Sequence, residues 1–257
     1  MTTLKSKLSG GQVTVGSWLS LPSTVTAEIM LEGGFDFLVI DREHTSIGTE
    51  AMAAMIQVVD LGGGTPLVRV GANDPLLIKH ALDCGAKGVV VPMVCSAEDA
   101  RRAVAAAYYP PRGQRGVGLF RAQGYGRSFD AYREWAERET VVVVQIEHID
   151  AVDALEDILA VDGVDAFMIG PYDLSGSVGT PGDFAGPRMA EALRRIAGIM
   201  ARSTKPGGLH VVHPDPQALK DRIGEGYRFL AYGVDQIFLS TAIDRDRATV
   251  KAINQGK

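Results

Sequence analysis

Val141-Val142-Val143-Val144-Gln145-Ile146-Glu147-His148 is the stretch that decides the fold. Its first part is apolar without alternation, the pattern of a strand covered on both faces, as in a parallel α/β sheet. Its end turns polar. Seven further runs are similarly built: Val13–Leu19, Phe35–Asp41, Pro66–Val70, Gly88–Val94, Ala166–Gly170, Gly208–Val212 and Phe229–Gly233. Between them lie amphipathic stretches that read as helices: Val25–Leu31, Gly48–Asp60, Pro75–Asp83, Ala97–Tyr108, Asp150–Leu159, Pro187–Arg202, Pro216–Glu225 and Val234–Asn254. Asp74 ahead of Pro75, and Ser96 ahead of Ala97-Glu98-Asp99, read as N-caps, each with a side-chain oxygen for free N–H groups. Strands alternating with helices at about 30 residues per unit predict one (β/α)8 TIM barrel over 1–257. A doubly wound open sheet is the alternative, but no G-x-G-x-x-G follows the first strand.

Composition agrees. A chain of 257 residues, 46% apolar and 22% charged, can bury a full core. A net charge of −5 excludes a generally basic nucleic-acid binder. Two cysteines make no disulfide framework; Cys84 and Cys95 read as small apolar fillers in a reducing compartment. Met1–Gln12 is polar and lacks the apolar segment of a leader, and no run of about 18 apolar residues occurs. The expectation is a cytoplasmic protein without nucleic-acid or membrane partners. Gly62-Gly63-Gly64 lacks the G-K-[ST] ending of a phosphate loop and reads as a connection. The segment 109–139, rich in Gly, Arg and aromatics, reads as a long irregular loop, either functional or a subunit contact.

Barrel enzymes build their sites at the carboxyl ends of strands, and polar residues collect there. Glu147 and Asp173 follow successive strands. Two adjacent carboxylates repel unless one is protonated or a cation lies between them, and oxygen ligands favour a hard divalent ion; a helix cap and an arginine partner are the plainer roles. Arg69 closes an apolar strand and could grip an oxyanion, or pair with Asp41 or Glu43. His44 stands just past the second strand, where it could move a proton through water or simply be solvated. His210 lies in the seventh strand, toward the barrel mouth.

The motifs together resemble one family. They are Gly16-Ser17-Trp18, Asp41-Arg42-Glu43-His44, Pro66-Leu67-Val68-Arg69-Val70, Leu82-Asp83-Cys84-Gly85, Val91-Pro92-Met93, Tyr109-Pro110-Pro111-Arg112-Gly113, Gln145-Ile146-Glu147 and Gly170-Pro171-Tyr172-Asp173-Leu174. In this order they resemble the HpcH/HpaI aldolases, metal-dependent class II pyruvate aldolases of the 4-hydroxy-2-oxoheptane-1,7-dioate aldolase type. The resemblance implies that Glu147 and Asp173 ligate a divalent metal (Mg²⁺, Mn²⁺ or Co²⁺) with Gln145 beside it. Arg69 would bind the keto oxygen and stabilise the enolate of pyruvate or a related 2-oxo acid such as hydroxypyruvate. His44 would be the acid/base, oriented by Asp83 from the same or a neighbouring subunit. The backbone N–H groups around the turn Gly170-Pro171-Tyr172-Asp173 would hold the substrate carboxylate. Trp18 and His210 would border the aldehyde pocket. It also implies a homohexamer, a trimer of dimers that exchange the last helix. Tyr172 and His210 depart from the family's usual residues, small and apolar respectively. A CoA-linked citramalyl or malyl lyase of the citrate-lyase β type is the alternative, with Arg112–Arg127 as its basic groove.

Overall fold

The computed structural model of the chain describes residues 2–255. Its strands are β1 (Thr14–Leu19), β2 (Leu38–Asp41), β3 (Pro66–Arg69), β4 (Gly88–Val91), β5 (Val141–Ile146), β6 (Ala166–Ile169), β7 (Gly207–Val211) and β8 (Phe229–Val234). Each pairs in parallel with its neighbours in sequence, and β8 pairs with β1 to close the barrel. The architecture is the (β/α)8 barrel that the apolar runs predict. The first six strands are shorter than those runs, β2 and β4 most of all, for local reasons. The carboxylate of Asp36 turns from the chain to take the N–H of Val15 at 2.8 Å, so β2 starts only at Leu38. Met93, held at φ 52°, breaks β4 after Val91.

The helices facing the barrel are α2 (Thr24–Leu31), α3 (Thr49–Leu61), α4 (Pro75–Asp83), α5 (Ala97–Ala107), α7 (Ile149–Asp153), α8 (Leu155–Ala160), α10 (Pro187–Met200), α11 (Pro216–Gly224) and α12 (Asp235–Gln255). Asp74 caps α4 through Leu76 and Leu77 N–H at 2.8 and 3.1 Å, and Ser96 caps α5 through the Asp99 N–H at 3.1 Å. Three helices lie outside the sequence reading: α1 (Leu4–Ser9), α6 (Phe129–Glu139) and α9 (Pro171–Ser177). The single helix expected over Asp150–Leu159 is two, because Ala154 (φ −96°, ψ 6°) leaves helical geometry. The segment 109–139 is not one irregular loop either: a 3-10 turn (Arg121–Gln123) and α6 lie within it. Six of the eleven residues of α6 are charged and Ala136 is its one fully buried side chain; its apolar face is the short aromatic stripe Phe129, Tyr132 and Trp135.

Two apolar cores result. The larger fills the ring between strands and helices, with Ile40, Val68, Val89, Val142, Val144 and Phe167 turned outward onto Met52, Met55, Ile78 and Leu155. The smaller fills the barrel itself, where Phe37 stacks on Phe229 with centroids 4.5 Å apart. Gly16 makes that possible, since a Cβ there would collide with the Phe37 ring. Leu4 and Leu8 of α1 belong to this inner core and plug the barrel at the amino ends of the strands. Below them Lys5 Nζ donates to the Tyr108 hydroxyl at 2.8 Å, the Thr140 carbonyl at 2.6 Å and Asp165 at 3.1 Å. The opposite end stays open.

Candidate functional site

At the open end β2 and β3 deliver the first charged group. Asp41 and Arg69 are register partners on adjacent strands. The guanidinium donates Nε–H to Asp41 Oδ1 at 2.9 Å and Nη2–H to Asp41 Oδ2 at 2.6 Å, a bidentate fork. Its Nη1 lies 3.3 Å from Glu43 Oε2. The ion pair foreseen for Arg69 therefore forms with both acids. A guanidinium offers five N–H groups; two are bonded to Asp41, and Nη1 only approaches Glu43 Oε2, which accepts no hydrogen bond, so the remaining N–H groups are free for a ligand. The plane also lies over the Trp18 ring, 4.5 Å from its centroid. Burial opposes the charge of Asp41, but the hydrogen bonds and charge of Arg69, with the N–H groups of Glu43 and His44, outweigh it and hold the carboxyl below its ordinary range.

β5 and β6 deliver the second group. Glu147, just past β5, is 2% exposed. Its Oε1 accepts the N–H of Met93 at 2.7 Å, and its Oε2 accepts from Gln145 Nε2. The left-handed backbone of Met93 aims that N–H, an uncommon conformation for a side-chain-bearing residue. Gly170 makes room: a Cβ there would stand 2.7 Å from Glu147 Oε2 and 3.1 Å from Gln145 Nε2. Burial pushes the Glu147 carboxyl up, the Met93 N–H opposes this, and the charges of Glu43 and Asp173 push it further up. Burial also raises Glu43, with Arg69 opposing and Asp41 and Asp173 adding to the rise. Four carboxylates thus share a mouth with one guanidinium, and Gln145 keeps a buried Oε1 without a partner. The excess negative charge and the orphaned acceptor fit a hard divalent cation that takes its remaining ligands from water or substrate. Among the described residues no three His, Cys, Asp or Glu side chains form a preassembled metal cage.

The cavity above these groups has a volume of about 730 Å³. Trp18, His44, Arg69, Gln145, Gly170, Pro171, Tyr172, Asp173 and His210 line it, so the structure brings these sequence-chosen residues to one place, with Asp41, the partner of Arg69, among them. Glu147 sits beneath its floor. His44 is solvent-facing, with Nε2 3.6 Å from Glu43 Oε2. Tyr172 meets Phe184 edge-on at 4.9 Å, at the rim. Of the N–H groups assigned to a substrate carboxylate, that of Gly170 is bonded to the Ile146 carbonyl at 3.0 Å and Pro171 has none. Tyr172 and Asp173 retain theirs.

Asp83 lies elsewhere. It ends α4, which has run back to the amino side of the strands, and it accepts from Arg115 Nη2 at 2.6 Å. Arg115 also meets the Tyr132 hydroxyl at 3.1 Å and has a side chain with no exposure. Within one chain Asp83 does not reach His44. The arginines read as a basic groove are likewise engaged: Arg112 with Glu137 and Asp162, Arg121 with Asp60. Sequence reasoning passed over Glu43 as a site residue, although Asp41-Arg42-Glu43-His44 carried the signal. It also passed over Asp235, which accepts from Ser20 N and Leu21 N at 2.9 and 3.0 Å and ties the loop after β1 to the end of β8; nothing in the sequence links positions so far apart.

A closed parallel barrel with an acidic mouth defines a class of (β/α)8 proteins whose chemistry sits at the strand ends. Residues 14–242 match the family profile described as HpcH/HpaI aldolase/citrate lyase, and the chain belongs to that family. It is 39% identical to a pyruvate aldolase of Rhizobium etli, over 92% of each chain. It is 36% identical to a hydroxypyruvate/pyruvate aldolase of Roseobacter denitrificans, over 91% of each. The crystal structure of a HpcH/HpaI aldolase/citrate lyase family protein from Burkholderia cenocepacia superposes with a TM-score of 0.91 at 32% identity, covering 98% of this chain and 100% of that one. Among the described residues no helix is long and apolar enough to cross a membrane.

Proposed function

We propose that the chain is a class II aldolase, a carbon–carbon lyase that reversibly joins pyruvate, or a related 2-oxo acid such as hydroxypyruvate, to an aldehyde. The observation that carries this is the charge imbalance at the mouth: Glu147, Asp173, Glu43 and Asp41 against Arg69 alone. The aldolase names of the relatives support it. Glu147 and Asp173 would hold a divalent ion, Mg²⁺, Mn²⁺ or Co²⁺. Bound there, such an ion supplies Lewis acidity toward the keto group.

The chain's own groups do the rest. Arg69, held by Asp41 and Glu43, keeps a fixed positive charge where the enolate oxygen develops, and it does so without reorganising during the reaction. Tyr172 and Asp173 offer backbone N–H groups to the substrate carboxylate. His44, solvent-facing and close to Glu43, takes the proton of the C4 hydroxyl through a water in cleavage and returns it in addition. Trp18 and His210 wall the aldehyde side. An Asp83 partner for His44 requires a neighbouring subunit. Consistent with that, the reading takes the full chain as one domain in a cytoplasmic homohexamer, with α12, whose Leu239, Ile243, Val250 and Ile253 are exposed, as an exchanged element. Sedimentation of the intact protein tests the assembly.

The decisive experiment is retro-aldol turnover of 4-hydroxy-2-oxo acids, with pyruvate release followed through lactate dehydrogenase. Activity lost on chelation and restored by Mg²⁺, Mn²⁺ or Co²⁺ is expected. Turnover that survives chelation removes the metal from the proposal, and its absence with every substrate removes the aldolase.

A further inference from the structure

The wall of the cavity made by β7, β8 and β1 contains an unusual side chain. His210 lines the cavity together with apolar Met168, Val212, Val234 and Ile237, and burying a polar ring is costly unless its nitrogens are used. One nitrogen is used inside the protein. His210 Nε2 lies 2.9 Å from the carbonyl oxygen of Gly233. A carbonyl only accepts, so Nε2 carries the proton. The neutral ring then presents Nδ1 as a bare acceptor. No protein donor meets Nδ1 among the described residues. Burial, aided by the charge of Arg69 and opposed by the Gly233 carbonyl, pushes the imidazole pKa down to about 4, so the ring stays neutral at any ordinary working pH.

Trp18 stands with its ring centroid 5.7 Å from that of His210, and its indole Nε1–H is buried with no acceptor. The Arg69 guanidinium also lies over the Trp18 ring, 4.5 Å from its centroid, and helps to fix it. The cavity wall thus holds an acceptor without a donor, backed by an indole whose own N–H is turned away from the cavity. A ligand hydroxyl in the cavity can donate to His210 Nδ1; a methyl or methylene cannot.

The geometry points to His210, with Trp18 beside it, as a hydroxyl subsite that makes the enzyme select hydroxylated aldehydes over apolar ones of the same size. This rests on the aldolase reading above and names the substrate class that reading leaves open. Hydrophobic walls discriminate weakly against an added hydroxyl, whereas a site built to bond one rejects the analogue that lacks it, because its polar groups are then left unpaired. His210 makes this wall one of the second kind.

The test compares glycolaldehyde with propionaldehyde, which differ by a hydroxyl in place of a methyl, as partners of pyruvate in the metal-loaded enzyme. The ratio of kcat/KM for the two aldehydes is measured for the wild type and for His210→Leu, His210→Phe and His210→Asn. The expected wild-type ratio favours glycolaldehyde, and it falls by roughly ten-fold or more in the Leu and Phe variants. His210→Asn, whose amide oxygen can take the place of Nδ1, keeps most of it. His210→Phe preserves the ring volume if the Leu variant fails to fold. A wild type without preference, or an unchanged ratio in the Leu and Phe variants, overturns the subsite. A ratio that falls as far in the Asn variant shows ring packing rather than an acceptor and also overturns it. Failure of the wild type to join pyruvate to either aldehyde overturns the aldolase reading, and the subsite falls with it.

Discussion

The two ends of this barrel use the same kinds of side chain to opposite effect. At the plugged end one lysine meets one aspartate, a tyrosine hydroxyl and a carbonyl, with all contacts between 2.6 and 3.1 Å. Each of these groups has a partner, only the Thr140 hydroxyl beside them lacks one, and the lysine and aspartate charges balance. At the open end four carboxylates crowd one guanidinium; burial and the neighbouring acids hold Glu43 and Glu147 partly toward their neutral forms. A balanced buried network gives a fold its register and closure. An unbalanced one costs stability and persists where a ligand completes it. The lesson is that the surplus of charge, more than the presence of charge, marks the working end.

The sharpest way to break this contrast is to substitute one group at each end. Glu147→Gln should lower aldol turnover by about 10³-fold or more, the scale for losing a centre of electrostatic stabilisation, while leaving a folded protein. In the wild type Mg²⁺ or Mn²⁺ at about 100 times its Kd should stabilise by about 2.7 kcal/mol, and this increment should vanish in the variant; calorimetry reads both. If Glu147→Gln binds the ion and turns over normally, the open end is not the working end. Lys5→Met should do the reverse. Removing one partner of a part-buried pair leaves Asp165 uncompensated and should cost about 2–3 kcal/mol in urea unfolding, discounted for the partial exposure of the pair, with kcat little changed.

A third test uses pH. His210 has a folded pKa of about 4, below its ordinary 6.5. Between those values the unfolded chain binds more protons than the native one, so stability rises with pH. The contribution is complete above pH 6.5 and is lost as pH falls toward 4, by on the order of 2–3 kcal/mol. It should be absent in His210→Phe. Glu147 acts with the opposite sign in metal-free protein. Its folded pKa is raised, so its contribution is present at low pH and is lost as pH rises through the folded value. Unfolding free energies of wild type and Glu147→Gln, measured without metal from pH 4 to 8, should diverge upward with pH in favour of the variant. The smallest effect belongs to Glu43→Gln. Removing one like charge from the mouth should stabilise metal-free protein by about 1 kcal/mol, and an unchanged or lower melting temperature would contradict the surplus.

The barrel was legible because uninterrupted runs such as Val141–Ile146 cannot be half-exposed strands, and because their ends turned polar in the same way. Arg69, Glu147 and Asp173 could be picked out for that reason. Asp83 shows the limit. Its motif says nothing of direction, yet α4 carries it back to the far end of the strands, where Arg115 takes it. The helix α6 was hidden because it lies in a stretch dominated by Gly, Arg and aromatics that reads as a loop, and α1 because its two apolar residues, Leu4 and Leu8, are too few to show a period. The hand of Met93 was invisible as well: a left-handed φ at a residue with a side chain follows from the bond it must make to Glu147, not from the identity of the residue.

The bond from Asp235 to the loop after β1 has a consequence in time. Trp18, Ser20 and Leu21 stand on one side of the seam, Val234, Gln236 and Ile237 on the other, and the cavity needs both. During synthesis at about 5–20 residues per second, the first side waits on the order of tens of seconds for the second. Until then the barrel is an open sheet with an unpaired edge at β1, and the acids of β2, β5 and β6 have no enclosed space over them. A ribosome carrying a partly made copy therefore holds no half-built catalyst; the capacity to make or cut a carbon–carbon bond arrives with the closing strand.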